Sequence, residues 1–291
     1  MSPFLSKLGL AAAQFGLGAA TPPRGRSPEA ETQSIFSVAA RSGLSVLDTS
    51  GVFGRAETLL GELLPRPTPF RMTLAAARCD RGPDFIEAEA RASLGRLKIT
   101  RADTIIVQSA GELFGPHGAA LWQRLQKLRD EGLFAKIGVS VHASDDPVGI
   151  ARRYKPDIIQ APASLLDQRL LVDGTLAEVA GLGVEVQLRS IFLNGLLFLP
   201  PDRIPAPLKG ASSSISRVRR LIAEGRSDPL QAALGFALSR KEATVVLVGV
   251  TSAAELSAVV AAAASPPPDL DWDGMAIEDP QALDANTWAA A

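Results

Sequence analysis

Eight apolar runs of strand length alternate with amphipathic segments of helix length along the chain, and this alternation limits the possible folds more than any other feature. The apolar runs are continuous, which is typical of parallel strands that are covered by helices. Eight such strand–helix units over about 250 residues match the dimensions of a (β/α)₈ barrel. The predicted strands cover residues 8–15, 45–50, 70–76, 103–109, 135–142, 157–163, 184–192 and 244–250.

The segments between these strands have the spacing and the terminal residues of helices. Leu121, Leu125 and Leu128 recur near the helical period, and Ser252 followed three residues later by Glu255 resembles a capping box. Helices are therefore predicted at residues 29–43, 56–64, 83–97, 118–132, 146–154, 171–183, 211–224, 228–240 and 252–264.

A doubly wound open sheet is the alternative fold class, but it usually shows a G-x-G-x-x-G motif after its first strand. The first strand here ends in QFGLGAAT, whose glycines do not have that spacing. We therefore predict an α/β protein with a single-domain (β/α)₈ TIM barrel over residues 1–265. Residues 266–291 are predicted to form a tail that Trp272 and Trp288 hold against the barrel.

Composition argues against several functional classes. The net charge of −1 provides no basic excess for binding a nucleic-acid backbone. One cysteine and two histidines leave no disulfide framework and no metal cluster built from these residues. Lys7 and the residues after it resemble a weak signal peptide, but Gln14 and several glycines interrupt the apolar run. Because no uninterrupted apolar run of about 18 residues follows, we expect a cytoplasmic protein without a membrane partner.

In a (β/α)₈ barrel the functional site lies at the carboxyl ends of the strands. The side chains predicted there are polar but nearly uncharged, with Asp48 and Arg189 as the two charged exceptions. Asp48 could be a turn residue that accepts from nearby amides, or a carboxylate that orients a neighbouring acid. Arg189 could bind a carboxylate, a phosphate or Asp48, or it could extend to solvent.

Six longer motifs occur along the chain: LGLAAAQFGLG, LDTSGVFGRAETLLGE, LWQRLQKLRDEGLFAKIGVSV, DIIQAPASLLDQR, LRSIFLNGLL and VVLVGVTSAAEL. Their order resembles the successive signatures of the aldo/keto reductase superfamily, and the closing tail resembles that of one bacterial branch. The resemblance implies a (β/α)₈ barrel that reduces carbonyl compounds with NAD(P)H. In that reaction a Tyr donates the proton, a Lys and an Asp tune the Tyr, and a His positions the carbonyl group.

Three of these four catalytic positions hold a different residue type in this chain. The resemblance places the Asp at Asp48, but the Tyr falls on Phe53, the Lys on Ala75 and the His on Gln108. The only tyrosine, Tyr154, is predicted at the opposite end of the barrel. Losing a general acid typically lowers a rate by about 10²–10⁴-fold. The catalytic tetrad is thus degenerate.

The resemblance also assigns candidate positions for the dinucleotide. Ser140 and Gln160 would hold the nicotinamide carboxamide, and Glu255 would replace a residue that binds the adenosine 2′-phosphate. A carboxylate repels a phosphate, so we expect NAD to bind in preference to NADP if either binds. The full candidate set is Ser140, Gln160, Arg189, Ser190, Phe192, Gly195, Leu196, Gly249, Thr251, Ser252 and Glu255.

Two hypotheses for the function follow from these residues. The chain is nominally an NAD(P)-linked oxidoreductase, but the substituted tetrad favours a pseudoenzyme that binds a small metabolite, a nucleotide or a protein partner. The alternative is an active enzyme with altered chemistry, NAD-linked or cofactor-free, that uses Asp48 and Arg189. The sequence does not identify the ligand.

Overall fold

A computed structural model describes residues 4–16 and 28–284. Eight parallel strands form one closed barrel in chain order, which confirms the predicted single-domain (β/α)₈ fold. The strands are β1 (Leu8–Ala11), β2 (Val46–Ser50), β3 (Arg71–Ala75), β4 (Ala102–Val107), β5 (Phe134–Ser140), β6 (Ile158–Pro162), β7 (Glu185–Arg189) and β8 (Ala243–Val248).

The barrel closes where β1 pairs with both β2 and β8. Gly9 lies at this closure, and a Cβ atom there would come within 2.8 Å of Leu247 Cδ2 and 3.0 Å of Val245 Cγ1. These distances show that Gly9 faces a barrel interior that neighbouring side chains already fill. Because side chains alternate along a strand, the residues two and four positions from an inward residue also face the interior.

Helices surround the barrel and connect its strands. They are α1 (Ala13–Gly16), α2 (Glu29–Arg41), α3 (Ala56–Leu63), α4 (Pro83–Arg96), α5 (Gly118–Asp130), α6 (Pro147–Tyr154), α7 (Arg169–Val172), α8 (Thr175–Gly181), α9 (Ser212–Glu224), α10 (Pro229–Ser239), α11 (Ala253–Ala264) and α12 (Pro280–Leu283). All nine predicted helical segments contain a helix.

Two predicted elements differ from the structure. The first predicted strand, residues 8–15, is a strand only as far as Ala11, and the short helix α1 follows it. The predicted helix over residues 171–183 is divided into α7 and α8, because Gly174 between them has a left-handed φ of 79°. The first difference lies within an apolar run, where periodicity gives no signal, whereas the second lies at the turn dipeptide Asp173–Gly174, which the helical periodicity on either side concealed.

The described part of the tail packs against the barrel layers. The Trp272 ring lies edge-on to Phe236, with ring centroids 5.8 Å apart, and Gln168 Nε2 donates to the Trp272 carbonyl oxygen at 2.6 Å. The backbone amide of Ile277 donates to the Leu166 carbonyl oxygen at 3.0 Å. Trp288, the other predicted anchor, lies outside the described residues. The division at residue 265 stays a prediction.

Within the part of the chain that the structure describes, no helix has the length and apolar character needed to cross a membrane. Over the same residues, no group of three or more His, Cys, Asp or Glu side chains is arranged to hold a metal ion.

Gly61 and Gly95 allow a matched test of how α3 packs against the end of α4. A Cβ atom at Gly61 would come within 2.0 Å of the Arg96 carbonyl oxygen, whereas a Cβ atom at Gly95 would meet nothing within 4 Å. We expect Gly61→Ala to lower the free energy of unfolding by more than about 2 kcal/mol through overpacking. We expect Gly95→Ala to raise it by up to about 1 kcal/mol, because alanine is the better helix former.

Urea unfolding of the two variants and the wild type measures both effects. Equal effects of the two substitutions would show that the close contact between α3 and α4 does not exist in solution.

Candidate functional site

The interior-facing residues at the carboxyl ends of the strands form the mouth of the barrel. Strand register fixes their neighbours: Ser50 is paired with Ala75, Ser140 with Gln160, and Gln160 with Gln187. Arg189 is paired with Pro162 one layer further out. The predicted tetrad and carboxamide positions are therefore gathered at one end of the barrel, together with Arg189.

Three side-chain hydrogen bonds cross this mouth. Gln160 Nε2 donates to Asp48 Oδ2 at 2.9 Å, which joins β6 to β2 on the opposite side of the barrel. Gln108 Nε2 donates to Ser50 Oγ at 2.7 Å, across the intervening strand β3. Arg189 Nη2 donates to the Val141 carbonyl oxygen at 2.7 Å. These bonds connect five strands at the mouth.

Asp48 lies on β2 inside the mouth, so of the two roles left open for it the structure does not support that of a turn residue. Its side chain accepts from Gln160, while the amide of Val52 in the following loop donates to Ser50 Oγ. Burial raises the pKa of Asp48 to about 6, and the Gln160 hydrogen bond and the positive charge of Arg189 oppose that rise. A carboxyl group in this environment can exchange a proton near neutral pH.

The other three tetrad positions carry no group that exchanges protons in this range. Phe53 lies in the loop between β2 and α3, partly buried against the core, and its backbone amide donates to the Ser50 carbonyl oxygen. Ala75 ends β3 with a methyl group, and Gln108 follows β4 with an amide. Tyr154 lies in the outer layer on α6, where its hydroxyl donates to the Leu113 carbonyl oxygen at 2.9 Å.

Arg189 is turned into the protein, so the alternative in which it extends to solvent was wrong. Beyond its bond to Val141, its Nη1 lies 3.3 Å from Ser190 Oγ and its Nη2 lies 3.4 Å from His142 Nδ1. Its Nε is buried and has no hydrogen-bond partner among the described residues. Burial lowers the pKa of Arg189, and nearby carboxylates, Asp48 first among them, oppose that change.

The proposed direct pair between Asp48 and Arg189 is not formed within the described residues. Their charges influence one another, but the hydrogen-bond partner of the Asp48 carboxylate is Gln160. The two groups are held on different strands, β2 and β7, by their own partners.

A cleft of about 310 Å³ opens beside Ala75, one of the predicted tetrad positions. Ser50, Val52 and Phe85 also line it, together with the charged side chains Arg78, Asp80 and Glu89. A bound molecule would therefore meet both apolar and charged walls.

Candidate cofactor residues lie in two further places. Ser140 and Gln160 are buried neighbours at the mouth, although one amide hydrogen of Gln160 is bonded to Asp48. After β7, an apolar cleft of about 340 Å³ is lined by Phe192, Gly195, Phe198, Glu255 and Val259, among others. Ser190 begins the loop that leads to this cleft, and the Leu196 side chain is fully buried in the core.

The amino end of α11 is capped by the chain's own carboxylates. Ser252 Oγ accepts from the Glu255 amide at 3.1 Å, and Glu255 Oε2 accepts from the Thr251 amide at 2.8 Å. Glu31 Oε1 accepts from the Ala253 amide at 2.5 Å. A phosphate at this end of the helix would compete with two carboxylates for the same amides. Two carboxylates thus occupy backbone amides at this end of α11, and the buried Ser140 and Gln160 and the apolar cleft could hold uncharged parts of a dinucleotide.

Gly249 lies at the start of this loop beside Gln14, and a Cβ atom there would come within 2.8 Å of Gln14 Oε1.

The sequence did not identify Ser50 and Glu31 as site residues. Alternation along β2 could have indicated Ser50, because it lies two positions after Asp48. Glu31 is 222 residues before its partner Ala253, and no local pattern reports such a contact.

The chain is thus a (β/α)₈ barrel, and its candidate site consists of polar side chains at the carboxyl ends of the strands. The sequence profile described as the aldo/keto reductase family matches residues 9–276 of this chain. The chain belongs to the aldo/keto reductase family.

Relatives and solved structures agree with this assignment. The chain is 28% identical to an L-galactose dehydrogenase from Arabidopsis thaliana over 277 residues, which is 89% of this chain and 86% of the relative. Its fold is similar to an aldo-keto reductase from Bacillus halodurans in its holo form, with a TM-score of 0.75, 19% identity and coverage of 96% and 92% of the two chains. Its fold is also similar to that of an aldose reductase from Giardia lamblia, with a TM-score of 0.68, 15% identity and coverage of 93% of this chain and 91% of the other.

The raised pKa of Asp48 leads to a prediction about stability and pH. The folded protein holds the Asp48 proton up to a pH of about 6, whereas an ordinary aspartate releases it near 3.8. Between these values the folded state binds more protons than the unfolded state, so this group makes stability fall as pH rises. Below the ordinary pKa of aspartate, Asp48 causes no change of stability with pH. Above pH 6, the stability that depends on its protonation is fully lost.

We expect Asp48→Asn to remove this dependence, because asparagine does not titrate and its oxygen can still accept from Gln160. Urea unfolding at several pH values between 4 and 7 should show the variant gaining stability relative to the wild type as pH rises. Asp130→Asn, at an exposed position on α5, is the matched control. A difference that stays constant with pH would show that Asp48 titrates normally.

Proposed function

We propose that this chain is an aldo/keto reductase-family barrel that has lost standard carbonyl reduction and binds a small polar metabolite at its mouth. The observation that carries the proposal is the set of groups around Asp48. Phe53, Ala75 and Gln108 stand at the positions that resemble those of the proton donor, its activating cation and the carbonyl-positioning imidazole. The residue types at three strand ends therefore support a binding site more than a proton-transfer site.

Reduction of a carbonyl group requires a proton for the developing alkoxide. A phenylalanine ring has no acidic proton, and an amide such as Gln108 can donate a hydrogen bond but does not release its proton near neutral pH. The Gln108 amide is also bonded to Ser50. Without the phenol and the ammonium group, both general acid catalysis and electrostatic stabilisation of the alkoxide are lost.

The same groups suit recognition of hydroxyl, carbonyl or amide groups in a ligand. Gln108 and Ser50 form a polar pair, and Ser50 lines a cleft that has both apolar and charged walls. Gln160 and Ser140 add an amide oxygen and a hydroxyl nearby. Cofactor chemistry, if NAD is bound, would be hydride transfer, but the proposal for this chain does not depend on it.

Location and partners belong to the proposal as well. We propose that the protein acts in the cytoplasm on a small molecule, without binding nucleic acid. The net charge of −1 supports the absence of a nucleic-acid partner, because phosphate backbones are bound by basic surfaces.

Turnover assays test the proposal directly. With aldehydes, ketones and aldoses in the presence of NADH or NADPH, we expect the wild type to show no reduction above the rate without protein. An aldo/keto reductase that keeps the Tyr, Lys and His serves as the positive control. Robust steady-state reduction by the wild type would contradict the proposal.

The triple variant Phe53→Tyr, Ala75→Lys, Gln108→His restores the missing residue types, and we expect it to gain measurable reduction. The variant with Phe53→Leu in place of Phe53→Tyr is the matched control, because it lacks only the phenol. Equal rates for the two triple variants would show that the substituted tetrad is not what prevents catalysis.

One observation favours the second candidate function, an enzyme with altered chemistry. Asp48 has a pKa of about 6, which is in the range of a general acid or base. Under this alternative, turnover of some substrate would depend on Asp48 and would disappear in Asp48→Asn while the fold is kept. Loss of kcat without loss of stability would favour this alternative over the binding protein.

The capped end of α11 supports a preference for NADH over NADPH, which we propose as part of the same function. We expect Glu255→Gln to tighten NADPH binding by about fivefold, the size of one removed surface-charge repulsion, and to leave NADH binding nearly unchanged. Fluorescence titration with each dinucleotide measures both affinities. Glu224→Gln, at an exposed position on α9, is the control. Equal changes for NADH and NADPH would contradict a role for Glu255 at the 2′-phosphate.

A further inference from the structure

Arg189 reaches the barrel mouth from the end of β7, and its guanidinium group is incompletely bonded. One Nη atom is held firmly by the Val141 carbonyl oxygen, and the other makes a longer contact with Ser190 Oγ. The Nε atom is buried and has no hydrogen-bond partner in the described part of the chain. A buried, unpaired donor on a charged group normally costs free energy and requires a specific reason.

The carboxylates near Arg189 are each bonded to another group. Asp48 accepts from Gln160, and Asp145 Oδ2 accepts from the His142 backbone amide at 2.7 Å. Asp167 is bound by both Nε and Nη2 of Arg169, at 2.8 and 2.9 Å. None of these three forms an ion pair with Arg189 among the described residues, although all of them act on its charge. The cation is thus surrounded by acids but bonded to none of them.

Arg189 lines a small cavity. It has a volume of about 80 Å³, and Arg189, Ser190, His142, Asn194, Pro162 and Asp284 contribute to its walls. This size suits a group of a few atoms. The surrounding carboxylates disfavour a dianion more strongly than a monoanion, because repulsion grows with the ligand charge.

We propose that Arg189 binds the carboxylate group of a small organic acid, in the cavity between the ends of β6 and β7. One carboxylate oxygen takes the unpartnered Nε donor, in the charge-assisted geometry that arginine forms with planar anions. This inference rests on the proposed binding function and adds the chemical class of the ligand.

Matched pairs of acids and neutral amides test the inference on the intact protein. Isothermal titration calorimetry with acetate and acetamide, and with glycolate and glycolamide, should show saturable binding of at least one acid and weaker binding of its amide. We expect Arg189→Gln to weaken that binding by about tenfold or more, the effect of losing a charged hydrogen-bond partner. Arg152→Gln, which removes an exposed arginine on α6, should leave it unchanged.

A second measurement needs no variant, so a failure of Arg189→Gln to fold does not decide the outcome. Modification of the wild type with an arginine-specific dicarbonyl, mapped by mass spectrometry, should show that the bound acid protects Arg189 but not Arg152. Binding of the acids that is unaffected by Arg189→Gln, absence of binding by every acid tested, or tighter binding of inorganic phosphate than of any acid would each overturn the inference.

These outcomes are distinguishable from failure of the proposed function. If neutral amides bind as well as acids and no carbonyl reduction is found, the ligand class is wrong but the binding function stands. If the wild type reduces carbonyl compounds, the proposed function fails whichever acids bind.

Discussion

Closure of the sheet between β1 and β8 is the constraint on which the rest of this molecule depends. In an open sheet, Asp48 and Gln160 would lie on strands four positions apart and beyond hydrogen-bond reach. In the closed barrel these strands face each other, and Gln160 Nε2 lies 2.9 Å from Asp48 Oδ2. The interior at the closure is so tightly filled that Gly9 has no room for a side chain. Packing of apolar side chains therefore sets the positions of the polar groups above it.

Charge at the mouth is distributed unusually for a site with an aspartate and an arginine. A direct pair would neutralise both groups, but each is held by a neutral partner: Asp48 by the Gln160 amide and Arg189 by the Val141 carbonyl oxygen. The carboxyl group consequently has a raised pKa, and the guanidinium group keeps a free donor. Separation of the two charges leaves both available to a third molecule.

Much of this architecture could be predicted from the sequence, because strand and helix periodicity are local signals. The barrel, the position of Asp48 and Arg189 at its mouth, and the family were all predicted. The partners of those side chains were not: Gln160 is 112 residues from Asp48, and only the closed fold brings them together. The predicted extents of the first strand and of the helix around Gly174 were also wrong, since hydrophobic periodicity alone does not report where the backbone bends. Secondary structure, which depends on residues close in sequence, could be predicted, whereas side-chain partners that are distant in sequence required the structure.

Ala75 limits which side chains its neighbours at the mouth can be. Its methyl group leaves room for Gln108, which follows β4, to reach Ser50 on β2, so the side chain at position 75 and the hydrogen bond beside it depend on each other. A bulky side chain at position 75 would displace that bond, and an imidazole at position 108 would meet a hydroxyl that is placed for an amide donor. The two positions are thus coupled, because a change at one alters the fit of the side chain at the other.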